Sequence, residues 1–584
     1  MSRNTADAAK AARPKDEVSG LTRRKMLDPL KISRPIQASI LLVLVLAAYQ
    51  PSLHNGFIWD DDLYVTHNTT LRSPEGLKRI WTVRGVTVQY YPMVFTSFWA
   101  EYQIFGPEPM VFHATNMMLH GANAVLVWLV LAALGLPWAW PAAAIFALHP
   151  VNVESVAWIT ERKNVLSGLF AFSSLLILIR LYLPGAKETE EKDRLQTRKQ
   201  HTLYSISLLL FILALLSKSV TSMLPAVILI LIWWKQKKIP VNIIYAMLPF
   251  FAAGLAAGIN TSWMEKTLVG ASGPEWDISA VERFLIAGRA LWFYAYKLVW
   301  PAELIFIYPR WEINASAWWQ YLFPLAVLLL LTFLFSARNR IGKGPVAGVA
   351  LFTVILFPAL GFIDYYPMQF SFVADHFQYF ATPVLIAMAV AGAHRIAGRG
   401  RWRHERTLLA GVFPVLVLTL GLQTWNAQEK YRGLQPLWEH TIAHNPGCWM
   451  AYNNLGTTLA RQGKTENAVA CFQTALAIKP DYFDATNNLI AYYRETENYD
   501  RAIERLQTLL KLRPDSSATA YYNLACIYSL MGETEIAVTY LQKAIDRGFG
   551  LLPLLERDRD LENIRHTDYY NRALEQLREK RATR

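Results

Sequence analysis

Three consecutive aspartates stand where the chain leaves its first long apolar run. The segment FIWDDDLYVTHN, residues 57–68, holds Asp60, Asp61 and Asp62 between aromatic and aliphatic residues. A solvated turn that ends a helix accounts for this triplet, because such a turn needs only polarity. A carboxylate within hydrogen-bond reach of a hydroxyl can instead take its proton as a general base. The triplet taken alone fits both interpretations.

Later segments place cations, histidines and further carboxylates at the edges of apolar runs. The outer loop LHPVNVESVAWITERKN contains the pair Arg162 and Lys163, which suits an anionic phosphate group, with an ordinary interfacial anchor as the alternative. The segment LLSKSVTSMLP puts Lys218 between two apolar runs. Polar and ionisable groups in or beside membrane segments are costly, so they indicate function. The other candidates of this kind are His149, Asn152, Glu154, Tyr308, Arg310, Asp375 and His376.

The second apolar run has a polar face of its own. His113, Asn116, His120 and Asn123 recur at intervals of three and four residues, so they share one side of a helix. The histidines are seven residues apart and have no neighbouring carboxylate. This pattern favours hydrogen bonds between helices over a metal site.

The composition indicates a membrane protein followed by a polar tail. The chain has 584 residues, of which 53% are hydrophobic, and the apolar residues form blocks up to about residue 424. Most of these blocks are long enough to cross ~30 Å of hydrocarbon as helices. The net charge of +13 comes from basic clusters between the blocks, as in cytoplasmic loops. The clusters form no aromatic-interleaved stripe, so nucleic acid is excluded as a partner.

The charge pattern predicts about eleven crossings, beginning inside with a retained signal-anchor. Residues 281–300 are not counted as a crossing. In this segment Glu282, Arg289 and Lys297 share one helical face opposite Phe284, as in a surface or shallow re-entrant helix. With this topology the aspartate triplet, the candidate loops and the tail all face the same compartment. That convergence suits a reaction between a membrane-held anionic lipid and a water-borne acceptor. The predicted spans lie near 36–53, 111–133, 138–149, 164–183, 202–217, 220–234, 242–260, 316–336, 345–361, 378–394 and 407–424.

The tail repeats with a period of 34 residues. Successive copies end at Pro480 and Pro514, and Gly456 and Ala468 occupy positions where paired helices touch in tetratricopeptide repeats. Stacked helix pairs form a concave surface that usually holds a peptide or protein, with a stabilising cap as the alternative. The three cysteines lack metal spacing and are predicted to be buried thiols: Cys448, Cys471 and Cys526.

Several of these motifs together resemble a known family. The motifs WDDDLYVTHN, HPVNVESVAWITERKNVLSGLF, LSKSVTSMLP, LIFIYPRW and VADHFQYF precede the repeats. This combination resembles bacterial relatives of the transmembrane and tetratricopeptide-repeat-containing O-mannosyltransferases. These belong to the GT-C superfamily of glycosyltransferases, which use polyprenol-phosphate sugars. The resemblance covers the chain from about residue 36.

The resemblance implies roles for particular residues. An aspartate in the first outer loop is the base in that superfamily, and the family motif matches Asp60 and Asp61, with the register Asp61 and Asp62 left open. Eukaryotic members carry an acid-arginine pair where this chain has Asp375 and His376, so an arginine role does not transfer to the histidine. Cationic residues would stabilise the phosphate leaving group. The candidates are Arg162, Lys163, Lys218, Arg289 and Arg310.

The expected function is transfer of a sugar from a polyprenyl-phosphate donor to a hydroxyl, with Ser or Thr of a periplasmic protein as the first choice. One base and an activated donor imply a single displacement with inversion. Transfer to a lipid or polysaccharide, with the repeats binding a partner, is an alternative, and so is a non-catalytic envelope scaffold. No metal site or cofactor is predicted, although the acidic groups leave a divalent cation open.

The predicted fold is all-α, with a polytopic membrane helix bundle and a tetratricopeptide α-solenoid. Residues 1–35 are expected to form a cytoplasmic amino-terminal segment and residues 36–424 a GT-C-like membrane domain. A linker helix over 425–445 and a periplasmic repeat domain over 446–584 complete the chain. The expected location is a bacterial inner membrane, with the site and the repeats on the periplasmic side.

Overall fold

The computed structural model describes residues 32–183, 194–236, 238–397, 411–514 and 517–582. Within these ranges the chain is helical and forms no β-strand, which confirms the all-α prediction. The chain divides into two compact units, Met1–Gly433 and Leu434–Arg584. Their boundary falls inside the predicted linker, whose first nine residues belong with the first unit. Most of the predicted amino-terminal segment lies outside the described residues.

The first unit contains the apolar helices. Many begin with proline, whose fixed φ and missing N–H suit the first turn of a helix. The helices are α1 Arg34–Tyr49, α2 Pro74–Thr82, α3 Pro92–Phe105, α4 Pro109–Ala133, α5 Ala139–Leu148, α6 Val153–Ala157, α7 Arg162–Tyr182, α8 Arg194–Leu215, α9 Leu224–Lys235, α10 Val241–Met264, α11 Ala280–Val299, α12 Leu322–Ser336, α13 Arg338–Ile341, α14 Gly344–Leu356, α15 Thr382–Ala397 and α16 Phe413–Ala427.

Five helical segments of the described chain are long and apolar enough to cross a bilayer. Four shorter apolar helices, together with α8 and α16, occupy the remaining predicted spans. In the last of these spans, residues 407–410 lie outside the described residues. The number of crossings stays a prediction. The five long segments are Arg34–His54, Pro109–Ala133, Ile159–Tyr182, Val241–Val269 and Trp318–Ser336.

Helix α5 is short, and the polar segment that follows it therefore lies inside the bundle. It has ten residues, so it is about 15 Å long, which is half the hydrocarbon thickness. The chain then continues through short helical turns, and every residue from 146 to 168 is buried. The sequence analysis treated residues 148–164 as an outer loop. The segment is not an exposed loop, because it consists of short helical turns that pack inside the first unit. The side of the membrane that it faces stays a prediction.

Helix α11 presents its charged face to the protein. The Lys297 Nζ is buried and donates to the carbonyls of Ala302 and Glu303, at 3.0 and 3.1 Å. The other side of the helix includes Phe284 and Trp292, which are 43% and 37% exposed. Exposed aromatic residues on one face are typical of a helix that contacts lipid. The structure therefore agrees with the predicted amphipathic pattern.

The second unit is a stack of helix pairs, and it contains the predicted tetratricopeptide repeats. Helix pairs α18–α19, α20–α21 and α22–α23 form the three repeats, and α24 and α25 follow them. Cys448 and Cys526 are buried as predicted, whereas Cys471 is only half-buried. The helices are α17 Leu434–His444, α18 Trp449–Arg461, α19 Thr465–Ile478, α20 Phe483–Glu495, α21 Tyr499–Leu512, α22 Ser517–Leu530, α23 Thr534–Asp546, α24 Leu552–Arg557 and α25 Asp568–Ala582.

Gly456 sets the closest approach within the first repeat. A Cβ atom at this position would lie 2.6 Å from the Phe472 ring and 3.0 Å from the Ala468 carbonyl oxygen. We expect Gly456→Val to reduce the unfolding free energy of this unit by about 1–3 kcal/mol, because the paired helices must separate. Pulse proteolysis in urea, with cleavage mapped within residues 434–584, measures the change.

Ala460→Val is the matched control for this prediction. Ala460 is exposed on the same helix, so valine there costs only its lower helix propensity, below about 0.7 kcal/mol. Equal stability of the two variants would contradict the close helix contact at Gly456.

Candidate functional site

Asp61 is a buried carboxylate that ties the first loop to the segment before α7. Its Oδ2 accepts a hydrogen bond from the backbone N–H of Ile58 at 2.9 Å. Its Oδ1 accepts from the backbone N–H and the hydroxyl of Thr160, at 2.8 and 2.6 Å. Burial raises the pKa of Asp61 to about 7, and these hydrogen bonds oppose the rise. With both oxygens occupied, Asp61 is placed to hold the loop in position.

Asp60 has the opposite environment. Its side chain is half-buried, and its carboxylate accepts no hydrogen bond from the described part of the chain. Burial raises the pKa of Asp60 to about 6, with Lys163 and His376 lowering it and Glu161 raising it. Asp60 is therefore the member of the triplet whose oxygens stay available to a substrate.

Glu161 is the buried centre of a charged cluster. Its Oε1 lies 3.2 Å from the Lys163 Nζ, and its Oε2 accepts from the Lys218 Nζ at 3.0 Å. The His376 Nε2 lies 3.9 Å from the same Oε1. A carboxylate that is 1% exposed needs such partners, because an unpaired buried charge is very costly. We call the following set the Glu161 cluster: Asp60, Glu154, Glu161, Lys163, Lys218 and His376.

Glu154 completes the cluster from the short helix α6. Its Oε1 lies 3.1 Å from the His376 Nδ1, and its Oε2 accepts from the backbone N–H of His376 at 3.0 Å. The histidine ring therefore lies between two buried glutamates. Helix α6, the start of α7, the turn before α9 and the segment before α15 all contribute a member. The structure thus brings together six groups from five parts of the sequence.

The two lysines of the cluster stay partly accessible. The side chains of Lys163 and Lys218 are 10% and 14% exposed, compared with 1% for Glu161. The Lys163 ammonium also lies 5.1 Å from the centre of the Tyr64 ring. Burial lowers the pKa of Lys218, and Glu161 opposes this change. The pair can therefore meet an anion that enters beside Asp60.

Asp375 lies beside the cluster in a second buried group. The Tyr308 hydroxyl donates to Asp375 Oδ1 at 3.0 Å. Burial raises the pKa of Asp375, and Glu154 raises it further, while Lys430 opposes the rise. Lys430 is itself buried and donates to the carbonyl of Leu304. The sequence analysis missed Lys430, because it lies in the predicted linker and no motif marks it.

Arg162 points away from the Glu161 cluster, although it is next to Lys163 in sequence. Its Nε donates to Asn116, and its Nη1 donates to Ser97 at 3.2 Å and to Glu101 at 2.8 Å. Its Nη2 donates to Glu101 at 3.1 Å and to the Phe112 carbonyl at 2.9 Å. These five hydrogen bonds use all five guanidinium donors, so none is left for a phosphate.

The structure does not bring the other two predicted arginines into the cluster. The Arg289 guanidinium lies 4.4 Å from the centre of the Trp311 ring. Arg310 is exposed and donates to the carbonyls of Met368 and Glu275, at 2.9 and 3.0 Å. Lys163 and Lys218 are thus the predicted phosphate ligands that lie together.

The three remaining predicted residues make hydrogen bonds outside the Glu161 cluster. The His149 Nε2 lies 3.0 Å from the Leu298 carbonyl oxygen, and Asn152 donates to the Phe146 carbonyl at 2.8 Å. The Asp62 Oδ1 accepts from the Thr66 hydroxyl at 2.8 Å. These contacts position the segments that surround the cluster.

His120 and Asn123, on the polar face of α4, form hydrogen bonds between helices, as predicted. The His120 Nδ1 lies 2.9 Å from the Tyr379 hydroxyl, and its Nε2 lies 3.0 Å from the Ala147 carbonyl oxygen. Asn123 donates to the Val165 carbonyl at 2.8 Å and to Tyr379 at 2.9 Å. These bonds fasten α4 to α5, to α7 and to the segment before α15.

Comparison with known proteins identifies repeats in the tail and finds relatives that share one type of name. Residues 449–482 and 481–547 match models described as tetratricopeptide repeat. The chain is 22% identical over 459 residues to protein O-mannosyl-transferase F38B6.6 of Caenorhabditis elegans. This alignment covers 76% of the chain and 63% of the worm protein.

Two mouse proteins with the same type of name match over shorter stretches. Protein O-mannosyl-transferase TMTC4 is 27% identical over 200 residues, which cover 30% of this chain and 26% of the mouse protein. Protein O-mannosyl-transferase TMTC2 is 31% identical over 148 residues, which cover 24% of this chain and 18% of the mouse protein. The chain thus spans less than two thirds of each of these relatives.

We predict that the Arg162–Glu101 pair stabilises the first unit. Arg162→Gln should lower the unfolding free energy by about 3–5 kcal/mol, because it leaves the largely buried Glu101 carboxylate without its bidentate partner. Thermal unfolding of the purified chain in detergent measures the loss. Arg79→Gln is the control, because Arg79 is exposed on α2 and donates no side-chain hydrogen bond within the described chain, so the change should alter stability by less than about 0.5 kcal/mol. A stable Arg162→Gln variant would refute this role.

Proposed function

We propose that this chain is an integral membrane glycosyltransferase that moves a sugar from a polyprenyl-phosphate donor to a Ser or Thr hydroxyl of a protein. Two observations support this proposal. The Asp60 carboxylate accepts no hydrogen bond from the described chain, and Lys163 lowers its pKa. Glu161 holds Lys163 together with Lys218. The similarity to protein O-mannosyl-transferases supports transfer to protein and makes mannose the first sugar to test.

In the proposed reaction, Asp60 is the general base. The acceptor hydroxyl attacks the anomeric carbon and gives its proton to the Asp60 carboxylate, because a neutral hydroxyl is a weak nucleophile. The bond from the anomeric carbon to the phosphate oxygen breaks, and the leaving phosphate keeps the electron pair. A single displacement of this kind inverts the anomeric centre.

Lys163 and Lys218 stabilise the leaving phosphate in this scheme. Preorganised positive charge is most effective where water is excluded, because no reorganisation is needed as the negative charge develops. Each lysine is held by a different oxygen of Glu161, so their separation is set before the donor arrives. The two lysines supply the charge that a divalent cation supplies in other phosphate sites.

Asp61 serves as a positioning residue. Its three hydrogen bonds hold the loop against Thr160, and Asp60 is the next residue along that loop. Its carboxylate would have to break these bonds in order to accept a proton from a substrate. We therefore assign the base to Asp60 and not to the later register of the triplet.

We further propose that the repeats bind the protein acceptor. On the first helices of successive repeats, α18, α20 and α22, the Asn488 side chain donates to Asn453 at 2.9 Å, and Asn523 donates to Asn487 at 3.1 Å. Side-chain amides in successive repeats offer donors and acceptors that suit an extended peptide main chain. The proposed setting is a bacterial inner membrane with the cluster and repeats facing the periplasm, as the distribution of basic residues favours.

We expect Asp60→Asn to reduce transfer by at least about 100-fold, because the amide cannot accept the proton. Mass spectrometry of proteins from cells expressing each variant should show loss of the sugar from Ser and Thr peptides. Asp62→Asn is the matched control, since it makes the same charge change at a carboxylate bound to Thr66. Retained transfer in Asp60→Asn would overturn the assignment. A change confined to surface polysaccharide would favour the lipid or polysaccharide acceptor.

The pH dependence of transfer provides a second prediction. Since the base must be deprotonated, kcat/KM should rise with pH through about 6, the raised pKa of Asp60. Lys163 lowers this pKa, so Lys163→Gln should move the rising limb to higher pH as well as reduce the rate. Initial rates across the pH range measure both effects. A limb that stays at the same pH in this variant would contradict the proximity of Lys163 to the base.

A further inference from the structure

The first unit contains an apolar cavity that the proposed reaction does not use. Its volume is about 430 Å³, and helices α4, α7, α9, α14 and α15 all contribute to its wall. Most of the lining is aliphatic or aromatic, including Val130, Phe172, Leu351 and Met388. A cavity of this composition suits a hydrocarbon chain.

The cavity lies toward the end of the bundle away from the Glu161 cluster. Helix α7 carries Lys163 in its first turn and lines the cavity with Leu175, twelve residues later, which is about 18 Å along the helix axis. Helix α15 begins at Thr382, shortly after His376, and reaches Arg395 after about 20 Å. The far end of the cavity is therefore too distant for a phosphate there to react near Asp60.

Two cations line this far end. The Lys343 Nζ donates to the Trp233 carbonyl at 3.2 Å and lies 4.9 Å from the centre of the Trp233 ring. The Arg395 Nη1 donates to the Ile341 carbonyl at 3.0 Å. Each cation has further N–H groups, and the lining includes no Asp or Glu among the described residues. Positive charge thus stands at the end of an apolar cavity.

We propose that this cavity binds an anionic phospholipid, with an acyl chain among the apolar residues and the phosphate between Lys343 and Arg395. Basic pockets between membrane helices on the cytoplasmic side bind anionic head groups, and the basic loops at this end are the ones that the charge pattern assigns to the cytoplasm. The occupant is a lipid of the leaflet opposite the reaction. The proposal goes beyond the transferase and does not depend on it.

Native mass spectrometry of the full chain in detergent tests the charge requirement. Titrated phosphatidylglycerol should bind, and zwitterionic phosphatidylethanolamine should not compete with it. The double variant Lys343→Gln with Arg395→Gln should weaken binding about thirtyfold, the effect expected from two cations at a lipid phosphate. Lys343→Arg with Arg395→Lys keeps both charges and should bind as the wild type does. Equal binding of the two lipids, or no loss in the double variant, would overturn the proposal.

A second pair of variants tests the cavity itself. Gly392 lines the cavity, and a Cβ atom there would meet nothing within 4 Å, so the backbone leaves room for a side chain, and we expect the ring of Gly392→Phe to occupy part of the cavity. Gly258→Phe is the matched control on α10, where a Cβ atom is equally free and lies outside the cavity. Only Gly392→Phe should lose phosphatidylglycerol, with unfolding temperatures equal in both.

Competition with polyprenyl phosphate distinguishes a membrane phospholipid from the lipid of the sugar donor as the occupant of the cavity. If it displaces phosphatidylglycerol and Gly392→Phe abolishes sugar transfer, the cavity holds the donor tail and the proposal is overturned. Asp60→Asn should bind phosphatidylglycerol like the wild type, so a failed transferase proposal and a failed lipid proposal give different results.

Discussion

The buried carboxylate of Glu161 is the constraint around which the first unit is arranged. A charge removed from water in this way is tolerated only with close partners, and the two lysines and His376 provide them. These partners come from the start of α7, the turn before α9 and the segment before α15. Removing any one of them leaves the others imperfectly compensated. The requirement to neutralise Glu161 therefore fixes the relative positions of elements that are far apart in sequence.

Hydrogen bonding separates the roles of two neighbouring aspartates. Asp61 accepts three hydrogen bonds, whereas Asp60 turns toward Lys163 without one from the described chain. Trp59 lies in the turn just before the two aspartates and has a φ of 41°. A positive φ is unfavourable for a residue with a side chain. Trp59 stacks on Trp158 with ring centres 5.6 Å apart, and this contact helps to hold the turn. Strain at this point is consistent with a loop that must present Asp60 in one direction.

Sequence patterns predicted the elements and part of the site. The 34-residue period identified the repeats, and the apolar blocks coincide with helices. The role of Arg162 was not predicted correctly from the sequence. Adjacent helical residues point about 100° apart, so Lys163 reaches the cluster while Arg162 reaches Glu101. The segment around Glu154 was predicted to be a loop because it joins two predicted spans. Its burial depends on partners such as His376, which are more than 200 positions away and leave no local pattern.

The charge balance of the cluster bears on how the proposed base acts. Asp60, Glu154 and Glu161 oppose two lysines, so the site without substrate holds no excess of fixed positive charge. Lys163 is the group that most lowers the pKa of Asp60. A donor phosphate that approaches Lys163 therefore competes with Asp60 for the positive charge of this lysine. As negative charge develops on the leaving phosphate, Lys163 interacts more strongly with the phosphate and stabilises the Asp60 carboxylate less. The pKa of Asp60 then rises, so Asp60 becomes a stronger base than it is before the reaction. In the proposed reaction, departure of the phosphate and removal of the hydroxyl proton are thereby coupled through one ammonium group.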